Sequence, residues 1–476
     1  MANIVIFQPN RYGGGGTSSN APSWGAQTST TFEIYYGNGV LGESNIGINF
    51  TFRSNGFFNS GTITSVYYFR TNGELSSQET NVNIDVATRN NLLTVGESTY
   101  DYNQYIYRGN DSFLGSAGDD SFLGSKGNDT INGGAGIDVI NFKGFSEGVV
   151  VNLSTGQAIT SYGTSVISNV EDIEGSAYLD VLTGNSGNNQ IQGFGGADLI
   201  NGGTGFDTAV YFDATFAVNV NLSTGVVTGG SGGDSLVSIE RVLGSRFNDV
   251  LTGSAANESF LGGSGADTIN GGGGTDTVEY GFVGSGVVVN LTTGLTSGSA
   301  GNDVISNVEN VKGSIFNDNI TGNNGANTLN GDNGNDILRG GGGRDSLNGA
   351  GGNDTLTGVG TENGVGSIDT LTGGSGYDRF VLSSATTVFY NDGNNSSAGL
   401  SDYALITDFN SSQDKIQLEG SASKYFLRTS PVSGVTGTAI YLDTNINGIF
   451  NSTDELVAIV QGSSGLTLGS SYFVYV

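Results

Sequence analysis

Residues 331–356 read GDNGNDILR-GGGGRDSLN-GAGGNDTL, one nine-residue unit repeated in succession. Its form is G-G-x-G-x-D-x-U-x, with U a large apolar residue. Asp336, Asp345 and Asp354 fall nine residues apart, and Leu338, Leu347 and Leu356 keep the same step. Each unit holds a Gly-rich turn and a short x-U-x strand whose apolar residue points inward. Two consecutive units then close one full coil with a turn on each side. Every second unit therefore stacks, so Asp336 is expected beside Asp354. A flexible Gly/Asn/Asp linker would not keep an apolar residue in register.

The turns carry the chemistry. Their glycines admit the positive φ values that aim backbone carbonyls inward. Carbonyl and aspartate oxygens together make an all-oxygen site, which suits Ca²⁺, a hard cation with six to eight oxygen ligands. The expected fold is all-β: a right-handed parallel β-roll solenoid, flanked by an N-terminal β-sandwich-like domain and a C-terminal β-rich cap.

The first block, residues 109–141, places Asp111, Asp120, Asp129 and Asp138 at nine-residue steps. A longer repeat follows. VVVNLSTG at Val149, VNVNLSTG at Val218 and VVVNLTTG at Val287 recur at one constant interval, three times over. Each of these long repeats holds a spacer and four nonapeptides. The spacer is read as a longer, looser coil with a variable Gly/Ser/Thr loop on the surface, because so short a segment supplies too little core for a separate module. Asp180, Asp249 and Asp318 keep the register, and Asp198, Asp207, Asp267, Asp276, Asp336, Asp345 and Asp354 are expected to be full calcium positions. Asn189 and Asn327 replace aspartate, Glu258 does likewise, and GSAYLDVLT, GSRFNDVLT and GSIFNDNIT lack the fourth-position glycine. Those units are expected to bind calcium weakly or not at all. Six extra residues interrupt the step between Asp354 and Asp369, and Asp378 closes the array. A further candidate loop, Asp443-Thr-Asn445-Ile-Asn447-Gly448-x₅-Asp454, follows the EF-hand pattern D-x-N-x-N-G between strand-like flanks, with Asp where Glu is usual.

Charge excludes some partners. Lys+Arg of 16 against Asp+Glu of 45 gives a net charge of −29, which argues against nucleic acid or anionic membrane. The compact state should repel itself until cations neutralise it. Without Cys there are no disulfides or thiolate metal sites, and without His there is no Ser-His-Asp triad and no His-ligated zinc. No apolar run approaches the ~18 residues of a membrane helix. The start, MANIVIFQPNRYGGGG, is not a secretory signal peptide.

Residues 1–108 hold no nonapeptide but several β-like runs, at 4–7, 31–36, 46–52, 62–69, 82–86 and 105–107. HExxH, G-x-S-x-G and a phosphate-binding Gly loop are absent there, so no catalytic residue is assigned and the chain is not expected to be an enzyme. The array, the stretch DYALITDFNSSQDKIQLEG (residues 402–420) and the ending GLTLGSSYFVYV resemble the RTX, or haemolysin-type calcium-binding, proteins, and the ending resembles cyanobacterial members. The residues divide the chain into three parts: 1–108, an assembly or ligand-binding β domain; 109–379, the calcium roll; and 380–476, a β-rich cap. The resemblance covers residues 109–476 and implies that the cap carries a type I secretion signal. It implies export through type I secretion machinery to the exterior or cell surface, with folding on calcium there.

Two functions fit the sequence. One is a self-assembling structural subunit of a surface layer, sheath or matrix filament, with homo-oligomeric contacts through aromatics such as Phe57, Phe58, Tyr67, Tyr68, Tyr472, Phe473 and Tyr475, or by donation of strand 4–7 to a neighbour's sheet. The other is an adhesin or carbohydrate-binding module that takes surface polysaccharide.

Overall fold

The structure is a computed structural model. It describes the backbone of residues 3–4, 48–49, 65–69 and 75–80, and then residues 110–476 except 111, 231, 360–366, 392–398 and 452. Contacts divide the chain into two units, Met1–Val210 with Ser231–Ile239, and Tyr211–Gly230 with Glu240–Val476.

In the first unit the nine-residue step becomes paired strands of three to four residues. Ser112–Gly115 lies parallel to Thr130–Asn132, with Phe113 opposite Ile131, and Ser121–Leu123 lies parallel to Val139–Asn141, with Phe122 opposite Ile140. The partners come from every second nonapeptide, so successive nonapeptides build opposite sheets. Within the first spacer, Val150–Asn152, Gln157–Thr160 and Gly163–Ser168 form an antiparallel meander. Its outer strands rejoin the roll: Gly163–Ser168 runs parallel to Thr130–Asn132, and Val150–Asn152 parallel to Val181–Thr183. The spacer is therefore a coil carrying an extra hairpin, in line with the longer coil expected. Leu75–Thr80 pairs antiparallel with Ser65–Phe69 on one side and Ser112–Gly115 on the other. It covers the open edge of the first coil, which otherwise offers unpaired N–H and C=O groups. Asn3–Ile4 pairs with Ile48–Asn49. The β-sandwich expected of residues 1–108, and the donation of strand 4–7, lie otherwise outside the described residues.

The second unit repeats the scheme. The hairpins Val218–Asn221 with Val226–Gly229 and Val287–Asn290 with Leu295–Gly298 are the corresponding spacer insertions. One face then runs in parallel steps through Asn319–Thr321, Ile337–Gly341, Thr355–Val359, Arg379–Val381, Lys415–Leu418 and Phe473–Tyr475. The opposite face runs through Asn310–Lys312, Thr328–Asn330, Ser346–Asn348, Ile368–Thr372, Tyr403–Ile406 and Glu455–Gln461. The strands of residues 380–476 thus continue the sheets without a break at residue 380. Antiparallel strands Gly437–Leu442 and Tyr425–Thr429 finish the second face. One 3-10 turn, Ala422–Lys424, is the sole helical element among the described residues.

In each unit the core is a stack of U residues. Ile140, Leu182, Ile191, Leu251, Phe260, Leu329, Leu338, Leu347, Leu356, Leu371 and Phe380 are all 0% exposed. Each such side chain contributes about 1.5–3 kcal/mol of burial. A lone coil buries its apolar residue only against itself, so stability grows with the contact between neighbouring coils. At the C-terminal end Tyr472 packs on Phe409 and Phe473, and Tyr475 on Phe473 and Tyr425, with ring centroids 5.1–6.4 Å apart. The aromatics proposed for subunit contact at this end serve the intramolecular packing.

Candidate metal centre

Each turn is built by the six residues that precede its strand, so the aspartate at the sixth position sits at the strand's entrance, beneath the next coil. These aspartates are buried: Asp138, Asp180, Asp198, Asp207, Asp249, Asp267, Asp276, Asp318, Asp336, Asp345, Asp354, Asp369 and Asp378 are at most 3% exposed. They form ladders. The main-chain N–H of Asp318 donates to Oδ1 of Asp336 at 2.8 Å, that of Asp336 to Asp354 at 2.8 Å, that of Asp354 to Asp378 at 2.9 Å, and that of Asp378 to Asp414 at 3.0 Å. The neighbour expected for Asp336 is in place. On the opposite side Asn327 donates to Asp345 and Asp345 to Asp369, each at 2.9 Å. The six inserted residues lengthen two steps from 18 to 24 and leave the ladder intact.

The second carboxylate oxygen separates the turns into two kinds. Oδ2 of Asp138, Asp198, Asp267, Asp276, Asp336, Asp345, Asp354 and Asp378 is buried with no hydrogen-bond partner among the described residues. In each of these turns the second residue has positive φ: Gly134, Phe194, Gly263, Gly272, Asp332, Gly341, Ala350 and Gly374. Gly203 gives the turn of Asp207 the same backbone. Oδ2 then lies over the first glycine of its own turn, where a Cβ on Gly331, Gly340 or Gly349 would come within 2.2 Å of it. Only glycine leaves that space open.

In the other kind the second residue is Ser or Asn, outside the positive-φ set, and it bonds to the sixth side chain. Ser176 donates its N–H to Oδ2 of Asp180 at 2.6 Å and its hydroxyl to Oδ1 at 2.8 Å. Ser245 with Asp249 and Ser314 with Asp318 repeat this arrangement. Ser116 binds Asp120 and Ser125 binds Asp129 by hydroxyl bonds to Oδ2 of 2.9 and 2.6 Å. Asn185 and Asn323 donate their N–H groups to Asn189 and Asn327, and the Ser254 hydroxyl donates to Oε1 of Glu258. Oε2 of Glu258 stays buried without a partner among the described residues, the one Ser or Asn turn that keeps such an oxygen. Asp369 is satisfied differently, its Oδ2 accepting the buried Tyr390 hydroxyl at 2.7 Å. Asp111 lies outside the described residues.

Burial governs the electrostatics. Removal from water pushes the carboxyls of Asp198 and Asp345 up to about 8, those of Asp267 and Asp336 to about 7, and those of Asp276 and Asp378 to about 6. The neighbouring carboxylates of the ladder push the same way. A cation beside Oδ2 reverses both effects. Among the described residues no three acidic side chains converge on one point. The donor set offered is one carboxylate oxygen per turn together with the turn's carbonyls. That mixture of hard oxygens suits calcium. The eight unpartnered oxygens and the glycine-lined space beside them fit such an ion.

Some ladder members escape a reading of the nonapeptide alone. Asp198 donates its N–H to Asp234 and Asp267 to Asp303, steps of 36 residues that span the spacer hairpins. The sequence carries the signal: GGSGGDSLV (residues 229–237) and GSAGNDVIS (298–306) are nonapeptides lying inside what reads as a variable spacer loop. Glu171 and Glu309 accept the N–H groups of Asp138 and Asp276 in the same way. Outside the roll, the loop of residues 443–454 joins strands Gly437–Leu442 and Glu455–Gln461, a hairpin as the flanks suggested. Its Asp443 accepts N–H groups from Gly448 and Asn447, Asn445 accepts one from Asn447, Asn447 one from Ile449, and Asp454 one from Asn451. These ligand-type oxygens are turned to the loop's own backbone.

Coils of x-U-x strands, carbonyl-rich turns and a ladder of buried aspartates define a calcium β-roll. A family model of the RTX calcium-binding nonapeptide repeat (4 copies) matches residues 105–140, 174–209, 243–278, 312–347 and 321–356. The chain carries RTX calcium-binding nonapeptide repeats, and these repeats bind calcium in multiple copies. No curated protein matches it. Among solved structures it is similar to the solution structure of the AlgE6R3 subunit from the Azotobacter vinelandii mannuronan C5-epimerase. That likeness has 22% identity and a TM-score of 0.14, over 33% of this chain and 78% of the other. No helix among the described residues is long and apolar enough to cross a membrane.

Proposed function

We propose that this RTX-repeat protein is a secreted structural protein whose roll is folded by calcium, a subunit of a surface layer, sheath or matrix filament, exported by a type I route. The calcium ligands are the carboxylates of the positive-φ turns, Asp138, Asp198, Asp207, Asp267, Asp276, Asp336, Asp345, Asp354 and Asp378, with the carbonyls around them. One observation carries this reading: the row of buried Oδ2 atoms without donors. An unpaired buried carboxylate costs several kcal/mol unless a cation joins it. A chain with so many is stable only where calcium is plentiful, which favours the millimolar calcium outside cells.

The finer role is supported by what surrounds the roll. Repetition fills most of the described residues, the sequence has neither His nor Cys, and residues 1–108 and the C-terminal strands are rich in β-branched and aromatic residues. Electron microscopy of the full chain, in chelator and then in millimolar Ca²⁺, with circular dichroism alongside, tests it. Calcium is expected to bring β-signal together with ordered filaments or sheets. A calcium-folded, monodisperse monomer would sink the assembly role and turn attention to residues 1–108 as a glycan-binding module.

A further inference from the structure

The turns that carry Ser after the leading glycine recur at fixed places. Ser176, Ser245 and Ser314 open the four-nonapeptide blocks, one in each long repeat. In each, the serine does what a cation would do elsewhere. Its N–H reaches Oδ2 of the aspartate, its hydroxyl reaches Oδ1, and a third donor, the N–H of Val149, Val218 or Val287, joins Oδ1 at 2.7–2.8 Å. The same hydroxyl oxygen accepts the N–H of Tyr178, Phe247 or Phe316 at 3.0–3.1 Å, and so fixes the position that holds glycine in most other turns. Three donors of this kind occupy both carboxylate oxygens, against a burial that still pushes these carboxyls up.

We propose that, outside the spacer nonapeptides of Asp234 and Asp303, the second residue of the nonapeptide decides whether its turn requires calcium, and that the serine-latched turns of Asp180, Asp249 and Asp318 are calcium-independent staples set once per long repeat. This rests on the reading of the positive-φ turns as the calcium sites. The chain contains its own control. At latched turns the sixth residue varies among Asp, Asn and Glu, as at Asn189, Glu258 and Asn327, whereas every turn with positive φ at its second residue has Asp there. An amide serves a latch: Asn189 accepts the N–H of Asn185 at 2.7 Å and spends its own amide hydrogens on the carbonyl of Glu171 at 2.5 Å. It would not supply the charge a cation needs.

The test counts calcium bound per full-length chain by equilibrium dialysis with radioactive Ca²⁺, after refolding in calcium. Asp267→Asn is expected to lower the count by at least one. Asp249→Asn, and the triple variant Asp180→Asn/Asp249→Asn/Asp318→Asn, are expected to keep the wild-type count. Ser245→Ala keeps the N–H and removes the hydroxyl, so the count should again stand while the urea midpoint falls. It also serves as the milder variant should the triple one not fold. A loss of calcium in Asp249→Asn or Ser245→Ala equal to that in Asp267→Asn would overturn the latch. An unchanged count in Asp267→Asn would overturn the assignment beneath it, and the two failures are read separately.

Discussion

At the scale of the residue, the governing fact is a carboxylate buried beside glycine instead of beside a base. Its pH dependence has an unusual sign. In the calcium-free state Asp198 and Asp345 titrate near 8 and Asp267 and Asp336 near 7, all above the usual 3.8. Between those limits the folded chain holds protons that the unfolded chain has released, so stability falls as pH rises. In chelator the roll should therefore be more ordered near pH 5 than near pH 8, by circular dichroism. With millimolar Ca²⁺ the order should reverse, because the ion needs the deprotonated form. A calcium-free chain that gains structure on going from pH 5 to 8 would contradict this account of the turns. The role of the second residue is not legible in the sequence. It depends on a backbone angle, and Phe194, Asp332 and Ala350 adopt positive φ although none is glycine. The weak binding expected of GSAYLDVLT and its relatives rests on a missing fourth-position glycine, where Tyr178, Phe247 and Phe316 stand; the structure adds the second-position serine, whose hydroxyl accepts the N–H of that residue.

Among the elements, strands are readable in the sequence and spacers only in part. A U residue every nine positions specifies both sheets and the pairing of every second unit, because a three-residue strand exposes just one side chain to the core. Truncating one of these should be costly: Leu338→Ala is expected to lose about 2–5 kcal/mol, read as a lower urea midpoint of the calcium-loaded chain. The substitution Val288→Ala, on the outward face of its strand and 46% exposed, should shift it by well under about 1 kcal/mol. The spacers are harder because two nonapeptides, around Asp234 and Asp303, follow a hairpin that breaks the count. The ladder recovers them since strand pairing responds to position in space. Exposed Asn side chains add a second row: Asn317 accepts the N–H of Asn335, and Asn335 that of Asn353, each at 2.7 Å. This gives a physical reason for the frequent Asn-Asp pair in the turns, which the calcium argument alone leaves unexplained.

For the whole molecule, calcium and charge act together. A net charge of −29 opposes compaction, and the buried oxygens add a local cost that simple screening cannot remove. Removing calcium should expand the chain toward the unfolded radius of gyration, on the order of 80 Å for this length, measurable by small-angle X-ray scattering. Sodium chloride at molar concentration should recover little of the compaction, because screening acts on surface charge and leaves Oδ2 unpaired. Full recovery in sodium chloride would assign the effect to net charge alone.

The fourth-position glycines bear on how such a chain can change. Gly352 stands so close to the coil before it that a Cβ would lie 1.5 Å from the Gly334 carbonyl oxygen, and Gly376 stands equally close to Gly352. Gly352→Ala should therefore break the local stack, seen as loss of protection from hydrogen exchange in the coils on either side. Yet partners in the ladder lie 18, 24, 33 or 36 residues apart, as inserted loops and hairpins are absorbed between them. The architecture accepts a new loop of many residues more easily than one methyl group in the turn. Such a scaffold can diversify by acquiring cargo at its hairpins while its spine stays unaltered.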